Sequence, residues 1–365
     1  MKELIPFHIS QIEPYVPGLP IEEIKRKYGL KKVIKLASNE NPLGPSKLAV
    51  EAIKKSLNSI HRYPLDDGYY LRKALSEKLN FPMEQIILGS GSTDLIKMIA
   101  RAFLDREDKA IISETTFLMY RLAVCEVNGK NAIIKVPLKN YTYDLNGFLS
   151  SLTPQVKIIF IANPNNPTGT MIKKKELDNF ISKIPDNIII VLDEAYKEYI
   201  TDPDFPDGTD YVREGKKVIV LRTFSKIYGL AGLRVGYGIS TEEVIDCLKR
   251  TKTPFNLPRI SHDGALGALK DEEHVRRSVK LNTEQREFLF NELKKLGFEV
   301  IPSVTNFIMV KSPKPSKEFA FELMKKGVII RPLDAFEAPG YIRITVGTEE
   351  ENMFFLEKLR EILFS

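Results

Sequence analysis

Between Lys109 and Val220 short apolar runs alternate with stretches patterned at helical spacing, and few folds accept that rhythm. The runs KAIIS, AIIKVP, VKIIFIA, IIIVLDE and KVIVL are rich in β-branched residues and nearly continuous in apolar character. Strands buried on both faces read this way. Between them lie FLMYRLAVCEV and KKELDNFISKI, which repeat at helical intervals. Strand, helix and strand in succession require crossover connections, so this region is expected to form a mainly parallel sheet sandwiched by helices. Gln85–Leu88, another buried run, and the amphipathic LRKALSEKLN extend the pattern toward the N-terminus.

Polar clusters stand where the strands end, and in open α/β sheets ligands collect outside the carboxyl ends of strands. Ser90-Gly91-Ser92-Thr93-Asp94 opens the helix DLIKMIARAFL. Small residues at such a turn leave backbone N–H groups free at the positive end of a helix, which suits an anion. A plain helix cap is the alternative, and the spacing matches neither the P-loop nor the dinucleotide glycine pattern. Further clusters are Thr115-Thr116-Phe117 through Tyr120, Asn163 through Gly169, and Asp193-Glu194-Ala195-Tyr196. The last is Thr223–Tyr237, TFSKIYGLAGLRVGY, where Ser225 and Lys226 lie side by side and Arg234 follows eight residues after Lys226. Lys226 is placed to act as a nucleophile toward a carbonyl, with Ser225 and Arg234 holding a phosphate. An ordinary glycine-rich loop is the competing reading of that stretch taken alone. Five clusters converging on one crevice weigh against it.

At 365 residues the chain is long for one core, so two domains are expected. Residues 33–262 read as the large α/β domain. Residues 1–32 and 263–365, with a helical tract over 264–296 followed by short strands, read as a smaller α+β domain. The net charge of +6 is spread among interleaved acids, unlike a nucleic-acid-binding tract. Two cysteines, Cys125 and Cys247, share no motif and read as reduced core residues, and four histidines have no metal-ligand spacing. No metal, nucleic acid or membrane partner is expected. The absence of a signal-like N-terminal apolar core adds the expectation of a cytoplasmic protein.

The strings NPNNPTG, VLDEAY and RTFSKIYGLAGLRVGY occur in that order, with EPY at 13–15, LASNENPLGPS, RYP at 62–64, GSGST, TTFLMY and YIRITVG around them. Over nearly its whole length the chain thereby resembles the fold-type I, pyridoxal 5'-phosphate-dependent aminotransferases, and most of all their histidinol-phosphate branch. The resemblance implies that Lys226 carries the cofactor covalently and shuttles a proton. Asp193 would pair with the pyridinium nitrogen, and Tyr196 and Asn166 would hydrogen-bond the ring oxygen. Phe117 would stack on the ring. Gly91, Ser92, Thr93, Ser225 and Arg234 would bind the cofactor phosphate. Tyr63 would reach the phosphate in the other subunit of a homodimer with shared active sites. Arg343 would hold the substrate carboxylate, and Tyr15 and Arg331 would help hold a substrate phosphate. The implied reaction is transfer of an amino group from L-histidinol phosphate to 2-oxoglutarate in histidine biosynthesis. An aromatic or broad-range aminotransferase and a threonine-phosphate decarboxylase stay open as alternatives.

Overall fold

The computed structural model describes residues 4–10, 12 and 20–364. Among these residues one sheet has seven strands, in the order Ile86–Gly89, Gly236–Ile239, Val218–Thr223, Ile189–Asp193, Val156–Ala162, Lys109–Ser113 and Ile133–Val136. Neighbours pair in parallel except Gly236–Ile239, which runs antiparallel to both of its partners. The apolar runs behave as their composition requires. Along Val156–Ala162 successive side chains enter cores on opposite faces, Ile159 and Ile161 on one side and Ile158 and Phe160 on the other. Because these strands point the same way, the polar clusters at their carboxyl ends share one edge of the sheet.

Gly236–Ile239 is a strand that the sequence reading did not assign. A Cβ on Gly236 would stand 2.5 Å from the Ser92 backbone nitrogen, so only glycine lets this strand lie against the start of the helix Gly91–Phe103. The expected helical tract over 264–296 is two helices, Arg259–Leu269 and Glu272–Lys295. Asp271 starts the second by accepting from the His274 backbone N–H at 3.1 Å.

A second, antiparallel sheet has four strands among the described residues, ordered Val300–Ile301, Phe307–Lys311, Tyr341–Thr345 and Arg331–Pro332. The helices Ser316–Lys325 and Glu349–Leu363 and the last turns of Glu272–Lys295 cover it, through Phe319, Leu323, Phe355, Leu359, Leu289 and Leu293. Ile34–Lys35 pairs in parallel with Val328–Ile329. The backbone that follows crosses to the seven-stranded sheet. On the way Thr345 N donates to Leu36 O, and Asn39 N donates to Thr345 Oγ1 at 2.9 Å.

One buried ion cluster braces the sheet beside the polar edge. Arg222, on Val218–Thr223, donates through Nε and Nη2 to Glu194 Oε2 at 2.9 and 2.8 Å, and through Nη2 to Asp207 Oδ1 at 2.8 Å. Glu194 Oε1 accepts from Gly208 N at 2.7 Å. Arg222 and Glu194 are both almost wholly buried. Removing one member strands the charge of the other out of water. We expect Arg222→Met to lower stability by about 3–5 kcal/mol, and Arg222→Met with Glu194→Gln to recover much of it. Denaturant midpoints of the single and double variants check this.

Candidate active site

Lys226 lies just past the strand Val218–Thr223 at the floor of a cavity of about 1400 Å³. Its Nζ donates to the Ser38 carbonyl at 3.1 Å and lies 5.7 Å from the centre of the Tyr196 ring. Burial, with the nearby Arg343 guanidinium adding to it, pushes the amine down to about 7. Asp193 ends the adjacent strand and is 3% exposed. Burial pushes its carboxyl up to about 6, against the hydrogen bonds it accepts from the Tyr120 hydroxyl at 2.8 Å and Ala195 N at 3.2 Å. Tyr196 accepts from Asn39 Nδ2 at 2.9 Å, and burial raises its phenol above the ordinary range. Its own proton is therefore kept, available to an acceptor in the cavity.

The helix Gly91–Phe103 points its N-terminus at the same space, with Ser92, Thr93, Ser225 and Arg234 in the wall. Arg234 adopts φ 54°, and its Nη1 donates to Ala231 O at 3.2 Å and Ser225 Oγ at 3.4 Å. Gly91 makes room for it, because a Cβ there would collide with the Arg234 guanidinium. Asp94 does not face the cradle as a free charge. It accepts from Ser90 N and from Asn256 Nδ2, each at 2.9 Å. Hydroxyls, a guanidinium and a helix N-terminus together make a site for a phosphate.

The opposite wall comes from both sheets. Phe117 precedes the helix Leu118–Asn128, and Asn166 lies in the turn after Val156–Ala162. Arg343, 4% exposed on Tyr341–Thr345, donates through Nη1 to Asn166 Oδ1 and through Nη2 to the Ala37 carbonyl at 3.0 Å. Arg331, the register partner of Arg343 on the neighbouring strand, also lines the cavity.

The structure does not bring Tyr63 to this cavity. Tyr63 is 77% exposed and stacks on Phe255, with ring centres 4.6 Å apart. Tyr15 lies outside the described residues. Among the described residues no group of His, Cys, Asp and Glu is arranged to hold a metal ion, and no helix is long and apolar enough to cross a membrane.

Sequence reasoning gave no role to Tyr120, Asn39 or the Ser38 carbonyl. A tyrosine at a buried position of a helical stripe needs a partner for its hydroxyl, and that signal marks Tyr120. Nothing comparable marks Asn39, which reads as a turn residue and adopts φ 55°.

Because the Lys226 amine is neutral above about 7, its reactive form grows as pH rises through that value rather than through about 10, where exposed lysines titrate. In protein freed of any aldehyde bound to this amine, a small amine-reactive probe is expected to modify Lys226 with a midpoint near 7, read by mass spectrometry of the Lys226 peptide. A midpoint equal to that of surface lysines would contradict the burial argument.

The family model described as aminotransferase class I and II matches residues 31–359. A histidinol-phosphate aminotransferase of Moorella thermoacetica is 44% identical over 356 residues, spanning 97% of this chain and 92% of its own length. That of Caldicellulosiruptor saccharolyticus is 45% identical, spanning 97% of this chain and 99% of its own. Among solved structures, histidinol-phosphate aminotransferase from Sinorhizobium meliloti in complex with pyridoxal-5'-phosphate superposes with a TM-score of 0.86 at 24% identity, over 98% of each chain. That likeness speaks for the fold, and the sequence matches speak for kinship. With a family model over most of its length and relatives above 40% identity, this chain belongs to the class I and II aminotransferase family.

Proposed function

We propose that the chain is a pyridoxal 5'-phosphate-dependent transaminase that converts L-histidinol phosphate and 2-oxoglutarate to imidazole-acetol phosphate and L-glutamate, a step of histidine biosynthesis. The observation that carries this is the meeting, in one cavity, of a buried near-neutral lysine, a buried carboxyl and a phosphate cradle. The donor set fits the cofactor group by group: an amine for its aldehyde, a carboxylate for its ring nitrogen, and hydroxyls with Arg234 for its phosphate. When bound, the cofactor supplies a sink for the electron pair left when a proton departs from the substrate Cα.

The residues divide the remaining work. Lys226 Nζ, its basicity lowered by burial, would take the proton from the donor Cα and pass it to the carbon that carried the cofactor's aldehyde, and in the second half-reaction would carry a proton from that carbon to the acceptor Cα. Asp193 holds a proton at the ring nitrogen. The Tyr196 hydroxyl and Asn166 Nδ2 donate to the ring oxygen, and Phe117 covers one ring face. Gly91, Ser92, Thr93, Ser225 and Arg234 hold the cofactor phosphate, Gly91 by leaving space for Arg234. Arg343 grips the α-carboxylate of glutamate as a fork and the phosphate of histidinol phosphate in the other half-reaction, assisted by Arg331 and Tyr15. We further take the enzyme to be a cytoplasmic homodimer in which Tyr63 serves the neighbouring subunit. The exposure of Tyr63 and Phe255 favours that reading, and the free thiols of Cys125 and Cys247 suit a reducing compartment.

Two measurements test the proposal. Arg331→Ala is expected to reduce kcat/KM for histidinol phosphate by about 1.5–3 kcal/mol, the scale of a charge-assisted hydrogen bond, while glutamate turnover changes little. If phenylalanine or tyrosine outcompetes histidinol phosphate in the unmodified enzyme, the phosphate donor is wrong and a broad-range transaminase remains. For the dimer, mixing Tyr63→Phe subunits with Lys226→Ala subunits should restore activity, since one site of each heterodimer then carries neither defect. A fully active monomer would remove the shared site.

A further inference from the structure

Every group near Asp193 bears on its charge. Oδ1 accepts from Ala195 N and Oδ2 from the Tyr120 hydroxyl. Lys226 faces it and favours the carboxylate, the adjacent Glu194 opposes it, and Tyr143 and Tyr196 stand close by as phenols. Only Tyr120 among these side chains donates a hydrogen bond to the carboxyl in the described structure.

The Tyr120 ring is locked. It is fully buried, stacked on Phe160 with centres 4.9 Å apart and planes 11° from parallel, and met edge-on by Phe117 at 5.7 Å. The helix turn that places Phe117 in the cavity wall therefore also aims the Tyr120 hydroxyl at Oδ2. Burial and the neighbouring Asp193 keep that hydroxyl protonated far beyond its ordinary range, so toward Asp193 it acts as a donor. A second carboxylate partner on the main chain, Ala195 N, fixes the other oxygen. Two donors on two oxygens define the plane of the group.

We propose that Tyr120 is a positioning residue for transamination, orienting the Asp193 carboxylate and keeping it ionised so that the shared proton stays on the ring nitrogen of the cofactor. This rests on the assignment of Asp193 to that nitrogen. A hydrogen bond to the charged form lowers the basicity of a carboxylate. Without it, the proton between ring nitrogen and Asp193 moves toward the carboxylate oxygen, and no atom is gained or lost in the exchange.

Tyr120→Phe separates this role from packing, because phenylalanine keeps the stack on Phe160 and removes one oxygen. The holoenzyme carrying pyridoxal 5'-phosphate labelled with 15N in the ring gives the readout. In the unmodified enzyme the ring resonance should lie at its protonated position. In Tyr120→Phe it should move toward the unprotonated one, for a change of about tenfold in the proton partition, with kcat falling about tenfold and KM for the amino donor nearly unchanged. In an Asp193→Asn background the same substitution should add nothing. An unmoved resonance in folded Tyr120→Phe overturns the proposal. An unmoved resonance in Asp193→Asn overturns the assignment of Asp193 itself, and the proposal with it. Should Tyr120→Phe not fold, 3-fluorotyrosine at position 120 keeps the shape and donates more strongly. It should leave the resonance at the protonated position, and a shift toward the unprotonated one overturns the role.

Discussion

Withdrawal from water gives Lys226 and Asp193 their character, and the surrounding structure follows from keeping them dry. An exposed amine would hold its proton far above neutral pH, and an exposed carboxyl would lose its proton well below. Buried, they move toward one another, Lys226 down to about 7 and Asp193 up to about 6. Each then sits close to the point where a neighbouring hydrogen bond decides its charge. The sheet supplies the dryness, since the adjacent strands Ile189–Asp193 and Val218–Thr223 are buried up to their last residues. It also imposes an obligation, because a polar group so placed must find partners. Ser38 O, Ala195 N and the Tyr120 hydroxyl are those partners.

Positive charge is the second theme of the cavity. Arg343 and Arg234 both help push the Lys226 amine down, and Glu40 and Asp193 only partly oppose them. A cavity of this kind favours anions at two places, the cradle at the helix N-terminus and the fork of Arg343. A molecule with a phosphate at one end, or with two carboxylates, relieves repulsion that the protein otherwise carries.

Much of this was legible in the residues. The apolar runs between Lys109 and Val220 are each strands in the structure, and their shared direction follows from the helices between them. Ser92, Phe117, Asn166, Asp193 and Lys226 stand together because strand ends do, and that needs no distances to foresee. What escaped has physical reasons. Gly236–Ile239 looks like a loop because its glycines hide the β-branched pattern, and its pairing is decided by contact with Ser92, far away in sequence. The pairing of Ile34–Lys35 with Val328–Ile329 leaves no local periodicity at all, since two residues on each side carry it. The bond between Tyr120 and Asp193 joins positions 73 apart in the chain.

The crossing segment after Ile34–Lys35 has a consequence for the order in which the molecule can be completed. Ala37 accepts from Arg343 and Asn39 donates to Thr345, in each case 306 residues apart. Between them Ser38 receives Lys226, 188 residues away. Three consecutive residues made early in synthesis thus wait for partners made in the middle and then much later. Closing loops of that length is slow to repay in contacts. A nascent chain can fold the strand-and-helix layers of its central part as they emerge, yet the floor of its cavity is finished only once Arg343 and Thr345 arrive. Catalytic competence in this architecture is therefore a property of late assembly, acquired after most of the core has formed.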